Sequence, residues 1–215
     1  MIDLRGIEKK YQSQEVLKGI SLQINPGEQC VIQGRSGSGK STLLYLIGGM
    51  EKPTKGEITC YKKSLHSLDD AGLASYRKAY IGFIFQFHFL LPTMTCLENI
   101  ELPLKLAGKK HSVDKTISLA KEIGIDQLMS KYPYQVSGGE QQRVSLLRAI
   151  ISEPPLILCD EPTGNLDSHH SEKVIELLQY FAKKLHSTLL VVTHDPLIAA
   201  RFPRKITIED GQLFS

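Results

Sequence analysis

The eight residues Gly34-Arg35-Ser36-Gly37-Ser38-Gly39-Lys40-Ser41 constrain the fold more than any other stretch of this chain. They fit G-x-x-x-x-G-K-[ST], follow the apolar run Cys30-Val31-Ile32, and lead into a stretch, Ser41 to Gly48, with helical periodicity. A glycine loop between a buried strand and a helix curls the backbone until successive N–H groups point inward, and the helix start adds the positive end of its dipole. Both flanks are what a phosphate-binding loop requires. The nucleotide contacts expected from it run through Gly34, Arg35, Ser36, Gly37, Ser38, Gly39, Lys40, Ser41 and Thr42. Lys40 acts as a point charge on the outer phosphates, and Ser41 offers its hydroxyl to Mg²⁺.

The surrounding pattern is that of an α/β protein. The first third is strand-rich. Ile2 to Ile7, Val16 to Ile24 and Glu28 to Gln33 read as strands, with Asn25-Pro26-Gly27 as a turn, and Gly56 to Cys60 and Tyr80 to Phe85 as two more. From about Gln86 to Ser152 the pattern turns helical. There Ser112 is placed to cap a helix whose Val113, Ile117, Ala120 and Ile123 share a face, with Gly124 as its stop. Leu156-Ile157-Leu158-Cys159 ends in Asp160 and reads as a buried parallel strand. Ser168 is placed to cap a long helix burying Val174, Leu177, Leu178, Phe181 and Leu185. A strand, Thr188 to Thr193, and a hairpin around Asp210-Gly211 follow.

Composition narrows the function classes. A formal net charge of +3 gives no argument for a nucleic-acid partner. The four cysteines are scattered without a C-x-x-C pair, which speaks against a metal cluster or a disulfide framework. No apolar run approaches the ~18 residues of a membrane span, so any work at a membrane is expected to go through a partner.

Asp160 and Glu161 supply adjacent carboxylates where the apolar strand gives way to loop. A metal needs one, and a water attacking the γ-phosphate needs a base or orienting group. Asp160 is assigned to the metal and Glu161 to the water. A second glycine-rich helix start, Val136-Ser137-Gly138-Gly139-Glu140, precedes the stripe Val144, Leu147, Ile150 and Ile151. Taken alone it is equally an ordinary capped helix with Glu140 in its first turn.

The order of elements decides between those readings. Gln86 ends a strand upstream, Val136 to Glu140 precedes Asp160-Glu161, and Asn165-Leu166-Asp167 and then His194 follow. In this order and spacing the chain resembles the ATP-binding-cassette family over essentially its whole length. The resemblance implies an α/β fold: a P-loop NTPase core of the ABC ATPase type, with an N-terminal antiparallel β-subdomain and an inserted α-helical subdomain at roughly residues 87–152, the whole of 1–215 forming one domain. It also implies ATP and Mg²⁺ as ligands and a head-to-tail pair of identical chains. In that pair Ser137, Gly138, Gly139 and Glu140 of one copy cap the γ-phosphate held by the other copy's P-loop. Gln86 is expected at Mg²⁺ or the attacking water, His194 at the γ-phosphate, Asp167 across the dimer, and Tyr11 stacked on adenine. Val136 in place of Leu and Glu140 in place of Gln depart from the usual signature without removing Ser137 or the glycines.

Residues Phe85 to Thr95, followed by Cys96 to Leu104, are similar to the branch of lipoprotein-releasing, macrolide-export and cell-division cassettes, the lipoprotein-releasing members most of all. In that family this surface receives a coupling helix from the membrane permease. Phe83 and Phe85 are expected inside, and Phe87, Phe89 and Leu90 on an exposed docking patch. The other class considered, soluble cassettes of translation and DNA repair, carries two cassettes or a coiled-coil insertion, and this chain has one cassette and no sustained heptads.

Overall fold

The computed structural model describes residues 1–109, 112–164 and 168–214, apart from the side chains of residues 168 and 169. The N-terminal strands β1 (Ile2–Tyr11) and β2 (Gln14–Ile24) form an antiparallel hairpin, and β3 (Gln29–Gln33) leads into the glycine loop and helix α1 (Lys40–Ile47). Strands β4 (Lys55–Cys60) and β5 (Lys63–Ser64) join the hairpin in a four-stranded antiparallel sheet ordered β2-β1-β4-β5. Helix α2 (Asp70–Tyr80) then feeds β6 (Ile81–Ile84). The middle of the chain holds α3 (Cys96–Ala107), α4 (Val113–Glu122) and α5 (Gly138–Ile150). The C-terminal part is β7 (Leu156–Asp160), α6 (Ser168–Lys184), β8 (Thr188–Thr193), the short α7 (Pro196–Ala200), β9 (Arg204–Glu209) and β10 (Gln212–Phe214).

The second sheet has six strands ordered β10-β9-β3-β8-β7-β6, parallel except for β10. Alternation along its central strands splits the core in two, because successive side chains leave a strand on opposite faces. Cys30, Ile32, Leu156, Leu158, Leu190 and Val192 pack with β1, β2 and α1, while Val31, Ile157, Cys159, Leu189 and Val191 pack with α3, α5 and α6. A sheet covered on both faces needs such unbroken apolar runs. Gly82 lets β6 lie directly on α5, since a Cβ there would be driven into the Ala149 carbonyl.

Several expectations needed correction. Helix α2 was not anticipated, although Asp69 caps it by accepting from the Gly72 amide, and Leu73 and Tyr76 are its buried face. Ser112 stands at the N-cap of α4 without a side-chain cap bond, and Val113 is exposed instead of sharing the buried face of Ala120. Residues 86–95, expected to open the helical stretch, are irregular, and β6 stops at Ile84, one residue short of the expected Phe85. The expected capping role of Ser168 lies outside the described residues. The terminal hairpin turns through Asp210 and Gly211, both at positive φ, as a two-residue turn of its handedness requires.

Candidate functional site

Parallel register brings the candidate residues to one edge of the sheet. Gln33 pairs with Thr193, Asp160 with Val192, and Ile84 with Cys159. The residues that leave the strand ends, Gly34, His194, Glu161 and Gln86, therefore emerge side by side at the carboxyl edge, where open α/β sheets bind ligands. They line a cleft of about 1080 Å³ that also takes in residues 35–37, Lys40, Ser41 and Thr42.

The glycine loop is shaped around backbone donors. Gly34 sits at φ +156°, and a Cβ there would collide with the Ile208 carbonyl. Gly39 precedes α1 in the left-handed region, and no side chain caps the helix, which leaves its first amides uncovered by the protein. Lys40 Nζ folds back onto the carbonyls of Gly34 (2.9 Å) and Arg35 (2.8 Å). Burial lowers its ammonium below the ordinary lysine value, with Glu161 and then Asp160 opposing the shift. The Ser38 hydroxyl is buried in this loop with no partner among the described residues. An orphaned hydroxyl, open amides and a lysine on the same loop suit an anionic phosphate chain.

Asp160 is 7% exposed. Its Oδ1 accepts from Ser41 Oγ at 2.8 Å, and its Oδ2 accepts from the Tyr45 hydroxyl at 2.7 Å. Burial, and then Asp160, pushes the Tyr45 phenol well above its ordinary value, so it stays a donor. A hydroxyl and a carboxylate at contact form the hard oxygen set that Mg²⁺ selects, so Ser41 and Asp160 fit that ion.

Glu161, half-buried, adopts φ +46°, in the left-handed region that few non-glycine residues occupy. Its Oε1 lies 2.9 Å from His194 Nδ1, and its Oε2 accepts from the His194 amide at 3.4 Å. Gln86 packs against Gly164, where a Cβ would come within 3.0 Å of the glutamine Nε2. Tyr11 ends β1 just outside the cleft, 41% exposed. Its hydroxyl meets Glu51 and Thr42, and Lys9 Nζ sits 4.8 Å from the ring centroid. On the β-subdomain side the cleft is lined by Gln14 and Val16. Asp167 lies outside the described residues.

The second glycine-rich start is well built and stands away from the cleft lining. Ser137 Oγ accepts from the Glu140 amide and donates to Glu140 Oε2 at 2.8 Å, while the Ser137 amide donates to the same carboxylate at 2.8 Å. This is a full capping box. The amide and then the hydroxyl of Ser137 hold the Glu140 carboxyl below the usual carboxylate range. Gly138 and Gly139 carry no side chain over the first turn, and α5 runs from there into the core through Val144, Leu147 and Ile150.

The segment after Gln86 is pinned from two helices. Arg148 of α5 donates to the carbonyls of Phe89 (2.7 Å) and His88 (2.6 Å). Asn99 of α3 accepts from the Leu91 amide and donates to the carbonyls of Leu91, Met94 and Thr95. Thus held, Phe87 and Phe89 are each 63% exposed, and Leu91 is exposed beside them. Leu90 instead packs against the core, and Phe83 and Phe85 are half-buried, not fully inside. Phe89 has φ +45°, an uncommon conformation for an aromatic residue. Arg148, Asn99 and Tyr45 were not anticipated. Tyr45 and Arg148 reach partners far away in the chain, and Asn99 bonds an irregular segment whose Leu91 lies only eight residues before it.

The profile of the ABC transporter family matches residues 17–164. The chain belongs to the ABC transporter family. Among curated relatives, a Legionella pneumophila (strain Paris) protein named lipoprotein-releasing system ATP-binding protein LolD is 43% identical over 203 residues, covering 94% of this chain and 89% of the relative. A LolD protein of Geobacter metallireducens is 42% identical over 219 residues, covering 99% and 97%. Among solved structures, the dimeric bacterial ABC transporter cassette MJ0796 superposes with a TM-score of 0.92 at 38% identity, covering all of this chain and 97% of that one. A dimeric post-hydrolysis form of MJ0796 bound to ADP and Pi gives 0.90 at 37% identity, with 100% and 97% covered. The fold is that of an ABC ATPase cassette, and the chain is an ATP-binding, ATP-hydrolysing member of the family.

Proposed function

We propose that this chain is the ATP-hydrolysing subunit of a transporter that releases lipoproteins from the inner membrane, working peripherally on the cytoplasmic side of a separate permease. The observation that carries the proposal is near full-length similarity to proteins named for lipoprotein release. Among the described residues no helix is long and apolar enough to cross a membrane, so the route for the cargo has to come from partner subunits.

Two copies sandwich ATP head to tail, as the dimeric cassette neighbours suggest. Lys40 and the amides of residues 34–42 grip the phosphates in one copy, and Ser137, Gly138, Gly139 and Glu140 of the other cap the γ-phosphate. Ser41 and Asp160, aided by Gln86, hold Mg²⁺, which when bound neutralises phosphate charge. Glu161 takes the proton of the attacking water, and His194, held against it at 2.9 Å, orients the carboxylate and reaches the γ-phosphate. Tyr11 supports the adenine from the end of β1. Asp167 contacts the opposite copy.

The exposed pair Phe87 and Phe89 is the docking surface for the permease. Charged replacements, Phe87→Asp with Phe89→Asp, are expected to abolish co-sedimentation with permease-bearing membranes while leaving the melting temperature and basal ATPase unchanged. A collapsed melting curve would show that these rings serve the core instead.

The cargo is tested by reconstituting the chain with its permease in proteoliposomes carrying a lipidated protein. ATP-dependent appearance of that protein in the soluble fraction, on a lipoprotein-binding acceptor, is the expected result. ATPase stimulation by macrolides or peptides without lipoprotein release would overturn the assignment.

A further inference from the structure

We propose that Tyr45 is a positioning residue for the metal-holding carboxylate of Asp160. The inference rests on the assignment of Asp160 to the metal and adds a residue that no loop motif contains. Ser41 and Tyr45 stand one helical turn apart on α1, so their side chains share a face. Both hydroxyls donate to the same buried carboxylate, Ser41 to Oδ1 and Tyr45 to Oδ2.

The two bonds have different prospects. The Ser41 oxygen is the one the glycine-loop pattern commits to a cation, so that hydroxyl would have to give a lone pair to the cation and its proton to Oδ1 at once. Tyr45 binds the other oxygen, so its bond is compatible with the site both with and without the cation. It keeps the plane of the carboxylate fixed while Oδ1 is left to face the site. Outer partners that orient a ligating carboxylate are worth about 10–100-fold in metal affinity or activity.

The ring is itself held in place. Tyr45 packs on Phe83 with centroids 5.9 Å apart, and Phe83 stacks on Phe85 at 4.2 Å. An aromatic ring seated by another ring has little freedom to swing its hydroxyl away. Phenylalanine at position 45 would keep that packing and remove only the donor, leaving Oδ2 of Asp160 without its partner.

The experiment measures binding of a fluorescent ATP analogue to the full chain, first in EDTA and then across a Mg²⁺ titration. Tyr45→Phe is expected to leave the affinity in EDTA unchanged and to lower the melting temperature only modestly, the cost of one unpaired carboxylate oxygen. The Mg²⁺ concentration at half-saturation is expected to rise about 10-fold or more. Phe83→Leu, which removes the seat and keeps the hydroxyl, is expected to shift it in the same direction by less. An unchanged Mg²⁺ midpoint in Tyr45→Phe overturns the proposal, as does an equal loss of affinity in EDTA. Asp160→Asn separates the two failures. If it too leaves the Mg²⁺ midpoint unchanged, the assignment of the metal site falls; if it shifts the midpoint and Tyr45→Phe does not, only the role of Tyr45 falls.

Discussion

Replacing Glu161 with glutamine is expected to cut steady-state ATP hydrolysis by about 10²–10⁴-fold, the usual worth of a positioned base. That corresponds to about 3–5 kcal/mol of barrier. Glutamine keeps the shape of the side chain and an oxygen for the His194 contact at 2.9 Å; it loses the ability to accept a proton from water and, besides that, only the long bond from the His194 amide at 3.4 Å. ATP affinity should be unaffected, because the phosphates are gripped by Lys40 and the loop amides. The backbone at Glu161 lies at φ +46° with its amide donating to the Val192 carbonyl at 3.0 Å, so a change at Cδ leaves the turn as it is. Single-turnover and steady-state phosphate release, with nucleotide affinity measured in parallel, check this. Near-normal turnover would remove Glu161 from the chemistry.

Ser137→Arg is expected to abolish hydrolysis while the isolated chain still binds ATP normally. Two effects act together. The capping box with Glu140 is lost, at a typical cost of about 1 kcal/mol to the helix. More seriously, a long cationic side chain then occupies the helix start that has to approach the partner's γ-phosphate. Ser137 does not line the cleft around the P-loop, so nothing in the chain's own ATP grip is touched. Monomer ATP affinity, ATPase rate and the melting curve together test it. A large loss of monomer affinity would mean that the signature helix acts within its own chain. Full activity would mean that it does not meet phosphate at all.

The parts of this molecule that are local in sequence could be read from it. Strands β7 and β8 fall on the residues their apolar runs suggest, and the glycine loop, Asp160 and His194 sit at strand ends where short spacing places them. Period-2 alternation was hidden there because both faces of the sheet are buried, so only the structure separates Ile157 from Leu158. The capping box at Ser137 was visible, yet the same residues describe an ordinary helix start, and only their order with Gln86 and Asp160 suggested otherwise.

What escaped the sequence depends on distant contacts. Tyr45 looks like one more apolar position of α1 until Asp160, 115 residues on, accepts its hydroxyl. Arg148 looks like a favourable charge in the last turn of α5, but it holds the carbonyls of His88 and Phe89 from 60 and 59 residues away. Helix α2 was missed because its apolar face is only Leu73 and Tyr76, too sparse for a periodic signal. Leu90 looks like Phe87 and Phe89 in the sequence because all three are apolar neighbours; irregular backbone turns it inward while Phe87 and Phe89 stay exposed. Ser112 had the right residue type for a cap and made no cap bond, which shows how far a capping preference falls short of a contact.

The central claim is that the catalytic site is completed only by a second copy of the chain. Its most direct test is the solution mass of the Glu161→Gln variant by light scattering with and without saturating ATP. The chain alone weighs 24.0 kDa. The account predicts that ATP doubles this mass, and that adding Ser137→Arg to the same protein returns it to the single-chain value with ATP still bound. A mass that stays at one chain under saturating ATP, or a dimer that survives Ser137→Arg, would contradict it.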